Sequence, residues 1–278
     1  MNEHEHEPEN TSQRDDDAIR GIVRDHYAEI ARSGANGCCA PSCCAPTSAD
    51  TDASLSLRIG YSAEEIAAVP EGADMGLGCG NPQAIAALKA GEVVVDLGSG
   101  GGFDSFLAAR QVGPSGRVIG VDMTPDMVSK ARANARKLGA DNVEFRLGEI
   151  EHLPVGDGRV DVILSNCVIN LSPDKAAVFH DAFRVLRPGG RLAISDVVAT
   201  AELPEALRWQ ALAHAACAAG AIGVDALTGL LEDAGFVDIR ITLKPESREF
   251  IREWLPGSGA EDFIVSAIIE ARRPGDAG

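Results

Sequence analysis

Residues Val93–Asp104 read VVVDLGSGGGFD. A continuous apolar run ends in an acid, four glycines follow within five residues, and an apolar helical pattern begins at Phe103. Strand, glycine turn and helix in that order are what a nucleotide-binding loop requires. Glycines let the backbone turn tightly and come close to a ligand. The dinucleotide pattern G-x-G-x-x-G fails, because its third glycine falls on Phe103. No Gly-Lys-Ser/Thr follows, so a phosphate-binding P-loop is excluded as well. What stands is D-x-G-x-G-x-G, from Asp96 through Gly98 and Gly100 to Gly102.

Downstream, strand and helix patterns alternate. Val118–Val121, Val143–Leu147 and Val160–Ser165 read as strands, and Gly189-Gly190 turns into another that runs through Val197. Helices are expected at Phe103–Val112, from a Thr124-Pro125 cap to Leu138, and from a Ser172-Pro173 cap to Leu186. Apolar strands alternating with helices predict an α/β fold, a parallel sheet covered on both faces. After Val198 the rhythm changes. Pro204–Ala219 and Val224–Ala234 read as helices, Val237–Leu243 and Phe263–Ala271 as the last strands, and the segment with Trp254 and Leu255 as a cover over one sheet end.

Upstream, residues 1–14 are polar and aperiodic and read as a disordered tail, with His4 and His6 as solvated side chains. Residues 15–92 form a helical, cysteine-rich segment. Asp15–Ala31 is helical with Ile19, Ile22, Val23 and Ile30 on one face, and Ser33–Asp52 is a loop. Ser62 and Glu65 make a capping box, and Asn81-Pro82 opens a further turn. Residues 93–198 are the cofactor-binding core, and 199–278 cover the substrate and supply the final strands.

The chain has 278 residues, 45% of them apolar, enough for a substantial core. A formal charge of −17 argues against nucleic acid as a partner. No apolar run approaches the ~20 residues of a membrane span, and MNEHEHEPEN lacks a signal-peptide pattern. A cytoplasmic monomer without a membrane partner is expected. In a reducing compartment, seven cysteines are ligands, redox groups or core residues before they are disulfides. Four of them, Cys38, Cys39, Cys43 and Cys44, crowd into GCCAPSCCAP (37–46), without regular zinc spacing. The other three are far apart. Cys79 sits in MGLGCGNP before the first sheet strand, Cys167 just past the fourth strand, and Cys217 in HAACAAGA after the fifth. Ligands of open α/β sheets bind at the carboxyl ends of the strands, where these three can meet. Thiolates select soft ions. Zinc would still want a fourth ligand or a water. Trivalent arsenic is satisfied by three thiolates in a pyramid and keeps a nucleophilic lone pair at the apex.

The glycine motif resembles the first motif of class I S-adenosylmethionine-dependent methyltransferases. That resemblance implies a Rossmann-like, mostly parallel seven-stranded sheet. It places Asp122 on the ribose hydroxyls, Glu149 or Glu151 with Ile150 of GEIEHLP around the adenine, and Met123 and Asn166 among the cofactor contacts. LRPGGRLAISD also fits. Over roughly Ala18–Arg273 the chain resembles arsenite S-adenosylmethionine methyltransferases, carried by LGCGNP, DLGSGGGFD, SNCVINL and CAAGA. The resemblance implies As(III) on Cys79, Cys167 and Cys217, with an N-terminal cysteine, Cys44 among the four candidates, as a further one. It implies arsenite or its glutathione conjugate as substrate and a thiol reductant, glutathione or thioredoxin. A lone pair carries no proton, so no general base is needed, and His214 is read as structural. Two other readings compete: a methyltransferase for carbon or oxygen of a small metabolite, which leaves the cysteines unexplained, and a non-catalytic thiol-based metalloid binder, which leaves the glycine loop idle.

Overall fold

The computed structural model describes residues 11–33, 55–208, 217–254 and 257–275. Its centre is a seven-stranded sheet: β1 Val93–Leu97, β2 Arg117–Asp122, β3 Val143–Leu147, β4 Val160–Asn166, β5 Leu186–Ala199, β6 Val237–Lys244 and β7 Ile264–Arg272. The order is β3-β2-β1-β4-β5-β7-β6. The first five strands pair in parallel. β7 runs antiparallel to both β5 and β6. The sheet is therefore mostly parallel, and order reverses between β1 and β4.

Each central strand sends apolar side chains to both faces. Val94, Val118, Val162 and Ala193 pack with Ala108, Ala109 and Val112 of α2 (Phe103–Val112). Val95, Ile119, Ile163 and Ile194 pack with Phe179 and Val185 of α4 (Lys175–Val185) and Leu227 and Leu231 of α5 (Val224–Asp233). Burial on both faces is why these strands read as continuous apolar runs. α3 (Pro125–Leu138) turns Met127, Val128 and Ala131 inward, and a left-handed Gly139 ends it.

The long α1 (Thr11–Ser33) lies outside this core and packs against α3, with Ile30 meeting Met75 and Met127. It begins at Thr11, so Thr11–Arg14 are helical where the sequence suggested a tail; Met1–Asn10 lie outside the described residues. Val23 and Ile30 are buried as expected, whereas Ile22 is exposed. The Ser62–Glu65 capping box is present. α4 is capped by Asp174, whose carboxylate accepts from the Ala177 N–H, in place of Ser172-Pro173. Of the expected helix over Pro204–Ala219, Glu205–Arg208 is helical, residues 217–219 are not, and 209–216, with His214, lie outside the described residues. α6 (Arg248–Trp254) occupies the segment between β6 and β7; Leu255 lies outside the described residues. No helix among the described residues is long and apolar enough to cross a membrane.

Candidate active site

The carboxyl ends of β1, β2 and β4 open into a cavity of about 1100 Å³, counting its mouth. Gly98, Ser99, Gly100 and Gly101 form one wall, Asp122, Met123 and Thr124 a second, and Ile150 and Glu151 a third. Asp122 is buried; its Oδ2 accepts from the Gly100 N–H at 2.9 Å and its Oδ1 from the Thr124 N–H at 2.8 Å. The acid at the end of β2 thus also fixes the glycine loop. Burial raises its pKa against those two bonds. Asp96 is buried behind the loop and accepts from Ser105 Oγ at 2.6 Å; burial, then the charge of Asp104, holds its carboxyl well above the usual range.

A buried polar cluster continues from there. Tyr61 Oη donates to Asp104 Oδ1 at 2.7 Å, and Gln83 Nε2 donates to the Asp104 carbonyl at 2.8 Å. Burial pushes the Asp104 carboxyl up to about 6. Asn166, the last residue of β4, donates to Tyr61 Oη at 3.0 Å and accepts the Cys79 N–H at 3.0 Å.

At this edge Cys79, Cys167 and Cys217 come together, all buried in one apolar cluster with Leu171, Val197 and Ile251. The Cys79 and Cys167 sulfurs and an oxygen of Asp196 lie within 4.8 Å of one another. The Cys217 thiol donates to the Cys167 carbonyl. Cys167 and Cys217 have φ of +59° and +65°, a region that costs a side chain energy and recurs at functional sites. Gly220 shows how the last loop is seated: a Cβ there would stand 1.9 Å from the Asn170 carbonyl oxygen. Burial raises the thiol pKa of Cys79, and that of Cys167 further, where the neighbouring thiols add to it. Both thiols are therefore protonated at neutral pH.

The methyltransferase-domain family model matches residues 88–235. An arsenite methyltransferase of Halobacterium salinarum is 54% identical over 270 residues, covering 94% of this chain and 68% of that protein. The chain belongs to the arsenite methyltransferase family. The human arsenite methyltransferase is 40% identical over 159 residues, 53% of this chain and 42% of its own length, so the match spans less than half of that relative. Among solved structures, an arsenic(III) S-adenosylmethionine methyltransferase from Chlamydomonas reinhardtii shares the fold at a TM-score of 0.59 and 32% identity, over 84% of this chain and 76% of that one.

Against this arsenite methyltransferase fold, two expected cofactor residues fall outside the cavity. Gly102 faces inward, where a Cβ would meet the Phe106 and Phe145 rings at under 3 Å; it is a packing glycine. Glu149 turns to the arginines of α1, 3.4 Å from Arg24. Glu151 lines the cavity, buried, with Ser172 Oγ at 2.6 Å and Arg20 Nη2 at 3.3 Å. Cys44 and its three neighbours lie outside the described residues.

The structure also adds wall residues that no motif announced. Arg20, Val23 and Tyr27 of α1 close one side, and Tyr61, Asp74, Met75 and Leu77 another. Asp196 was visible only as the last letter of LAISD. Its carboxylate accepts from the Ile169 and Val197 N–H groups and Asn170 Nδ2, and burial pushes it up to about 6. An acid inside an otherwise apolar strand run, LAISDVV, was the available signal.

Proposed function

We propose that the chain transfers methyl groups from S-adenosylmethionine to trivalent arsenic held by Cys79, Cys167 and Cys217. The observation that carries this reading is three buried thiols converging beside a glycine-loop cavity. Their chemistry discriminates among soft ions. Exchange of the three hydroxyls of neutral As(OH)₃ for three cysteine thiols gives a neutral arsenic trithiolate and three waters. No charge enters or leaves, so the low-dielectric site imposes no ionic desolvation cost. Zinc on the same three thiolates would leave a net charge of −1 in an apolar cluster, which is costly.

The cavity fits the cofactor. Ser99 Oγ lines it and is buried with no hydrogen-bond partner among the described residues, and Gly100 faces open space. Asp122 would take the ribose, Ile150 and Glu151 the adenine end, and Asp96 and Asp104 lie toward the thiols. S-adenosylmethionine, when bound, supplies an electrophilic methyl group on a sulfonium. The protein's part is positional: it holds the arsenic lone pair at the cofactor cavity, where a near-attack geometry of ~3–3.5 Å supplies much of the acceleration. No side chain needs to remove a proton. Methyl transfer moves a positive charge onto arsenic, and Asp196, beside Cys79 and Cys167, is placed to stabilise it. An external thiol, glutathione or thioredoxin, then returns arsenic to the trivalent state. We assign the chain to the cytoplasm, where such reductants are available.

X-ray absorption at the arsenic edge, on protein with Cys38, Cys39, Cys43 and Cys44 replaced by Ser, tests the ligand set. Three sulfurs per arsenic are expected. An oxygen-rich shell, or binding that survives Cys167→Ser and Cys217→Ser together, contradicts it.

A further inference from the structure

Asn166 occupies a position that no motif assigns to anything but the cofactor wall. Its backbone precedes Cys167. Its Oδ1 accepts the Cys79 N–H at 3.0 Å, so one residue is bonded to one site cysteine and holds the loop of another. Its Nδ2 carries two hydrogens but has three acceptors within reach: the Gly80 carbonyl at 2.8 Å, Tyr61 Oη at 3.0 Å and Asp104 Oδ2 at 3.2 Å. Gly80 belongs to the cysteine loop, whereas Tyr61 and Asp104 line the cofactor cavity. The same two hydrogens are shared between the two sites.

We propose that Asn166 is a positioning residue that couples cofactor occupancy to arsenite affinity, by exchanging Nδ2 bonds between the Tyr61–Asp104 pair and the Gly80 carbonyl. This rests on the functional reading above. A ligand filling the cavity engages Asp104 and Tyr61 and leaves the Nδ2 hydrogens to Gly80. Both anchors of the Cys79 loop, its N–H on Oδ1 and the Gly80 carbonyl on Nδ2, are present in this structure; freeing Nδ2 from the Tyr61–Asp104 pair strengthens the second and holds the third thiol at its distance from Cys167. By linkage, arsenite must tighten cofactor binding by the same factor. An account in which Asn166 merely stabilises the loop predicts weaker binding of arsenite but no change in this factor.

The test is calorimetric titration of arsenite into the full chain carrying Ser at 38, 39, 43 and 44, with and without saturating S-adenosylhomocysteine, which permits binding without turnover. In that parent, S-adenosylhomocysteine should tighten arsenite binding by roughly fivefold or more, and the reverse titration should give the same factor. Asn166→Ala should bring the factor close to one. Tyr61→Phe, which keeps the ring on Phe103 and removes one acceptor, should give an intermediate factor and decides the matter if Asn166→Ala does not fold. A parent with no coupling, or variants with the parent's coupling, overturns the inference while leaving the thiol site intact. Failure of arsenite to bind the parent at all overturns both.

Discussion

At the scale of single residues, three thiols and one carboxylate carry the chemistry. Cys167 and Cys217 are in contact, and both stand on left-handed backbone. A monomethyl arsenical has two open valences and needs only this pair. Cys167→Ser and Cys217→Ser should each reduce methylation of arsenite and of the monomethyl substrate by roughly a hundredfold or more, with circular dichroism unchanged. Cys79→Ser should spare the monomethyl substrate; equal losses on both would contradict this division. Gly220→Ala makes no change in chemistry but puts a methyl group against the Asn170 carbonyl. The loop must shift, and a displacement near 1 Å at a reacting group can cost ~100-fold in rate. Wild-type kcat in that variant would show that the Cys217 loop is not held by this contact. Asp196 adds a pH dependence. Its carboxyl ionises at about 6 when folded and at 3.8 ordinarily, so folding favours its protonated form. That contribution is complete below pH 4 and is lost as pH rises through 6, by up to roughly 3 kcal/mol. Asp196→Asn should flatten the fall in unfolding free energy between pH 4 and 6, measured by urea denaturation. An unchanged slope would show that Asp196 does not titrate there.

At the scale of elements, α1 and the glycine loop govern the cavity. Arg20 reaches from α1 to the buried Glu151, and its neighbours Val23 and Tyr27 form wall. Arg20→Met leaves a buried carboxylate without its arginine partner, held by the Ser172 hydroxyl. It should lower stability by on the order of 2 kcal/mol and raise the cofactor Kd, with arsenite binding by the three thiols retained. A cofactor Kd equal to that of the wild type would remove α1 from the site. Asp122→Ala breaks the tie to the Gly100 N–H as well as the proposed ribose contact, so calorimetry should show cofactor affinity down by tenfold or more, about 1.5–3 kcal/mol per charged bond. These elements also show what sequence can and cannot convey. The strands around β1 were legible because burial on both faces leaves an unbroken apolar run. α1 was legible as a helix but not as cavity wall, since Arg20 and Tyr27 look like any surface residues until the helix is docked. The antiparallel sense of β7 carries no local signature. Gly102 and Gly98 look alike in a motif, and only the packing of Phe106 and Phe145 separates them.

At the scale of the whole molecule, two chemistries meet at one sheet edge. The parallel core supplies a cofactor cavity at the point where strand order reverses, between β1 and β4. The third thiol comes from a loop before the core, and another from a loop after it, so only the folded chain assembles the set. The meeting of Cys79, Cys167 and Cys217 could be anticipated from their placement near strand ends. The left-handed backbone of Cys167 and Cys217 and the Asp196 carboxylate could not, because they depend on how the chain packs at the β4 and β5 ends. Small-metabolite methylation uses the cavity but leaves the thiols idle, and metalloid storage does the opposite. The decisive measurement is speciation of the products after incubating the protein with methyl-labelled S-adenosylmethionine, arsenite and glutathione. Label is expected on arsenic, with its formation abolished in Cys167→Ser. Label transferred to a quinone or other small metabolite with none on arsenic, or arsenite bound tightly and returned unmethylated, would contradict it.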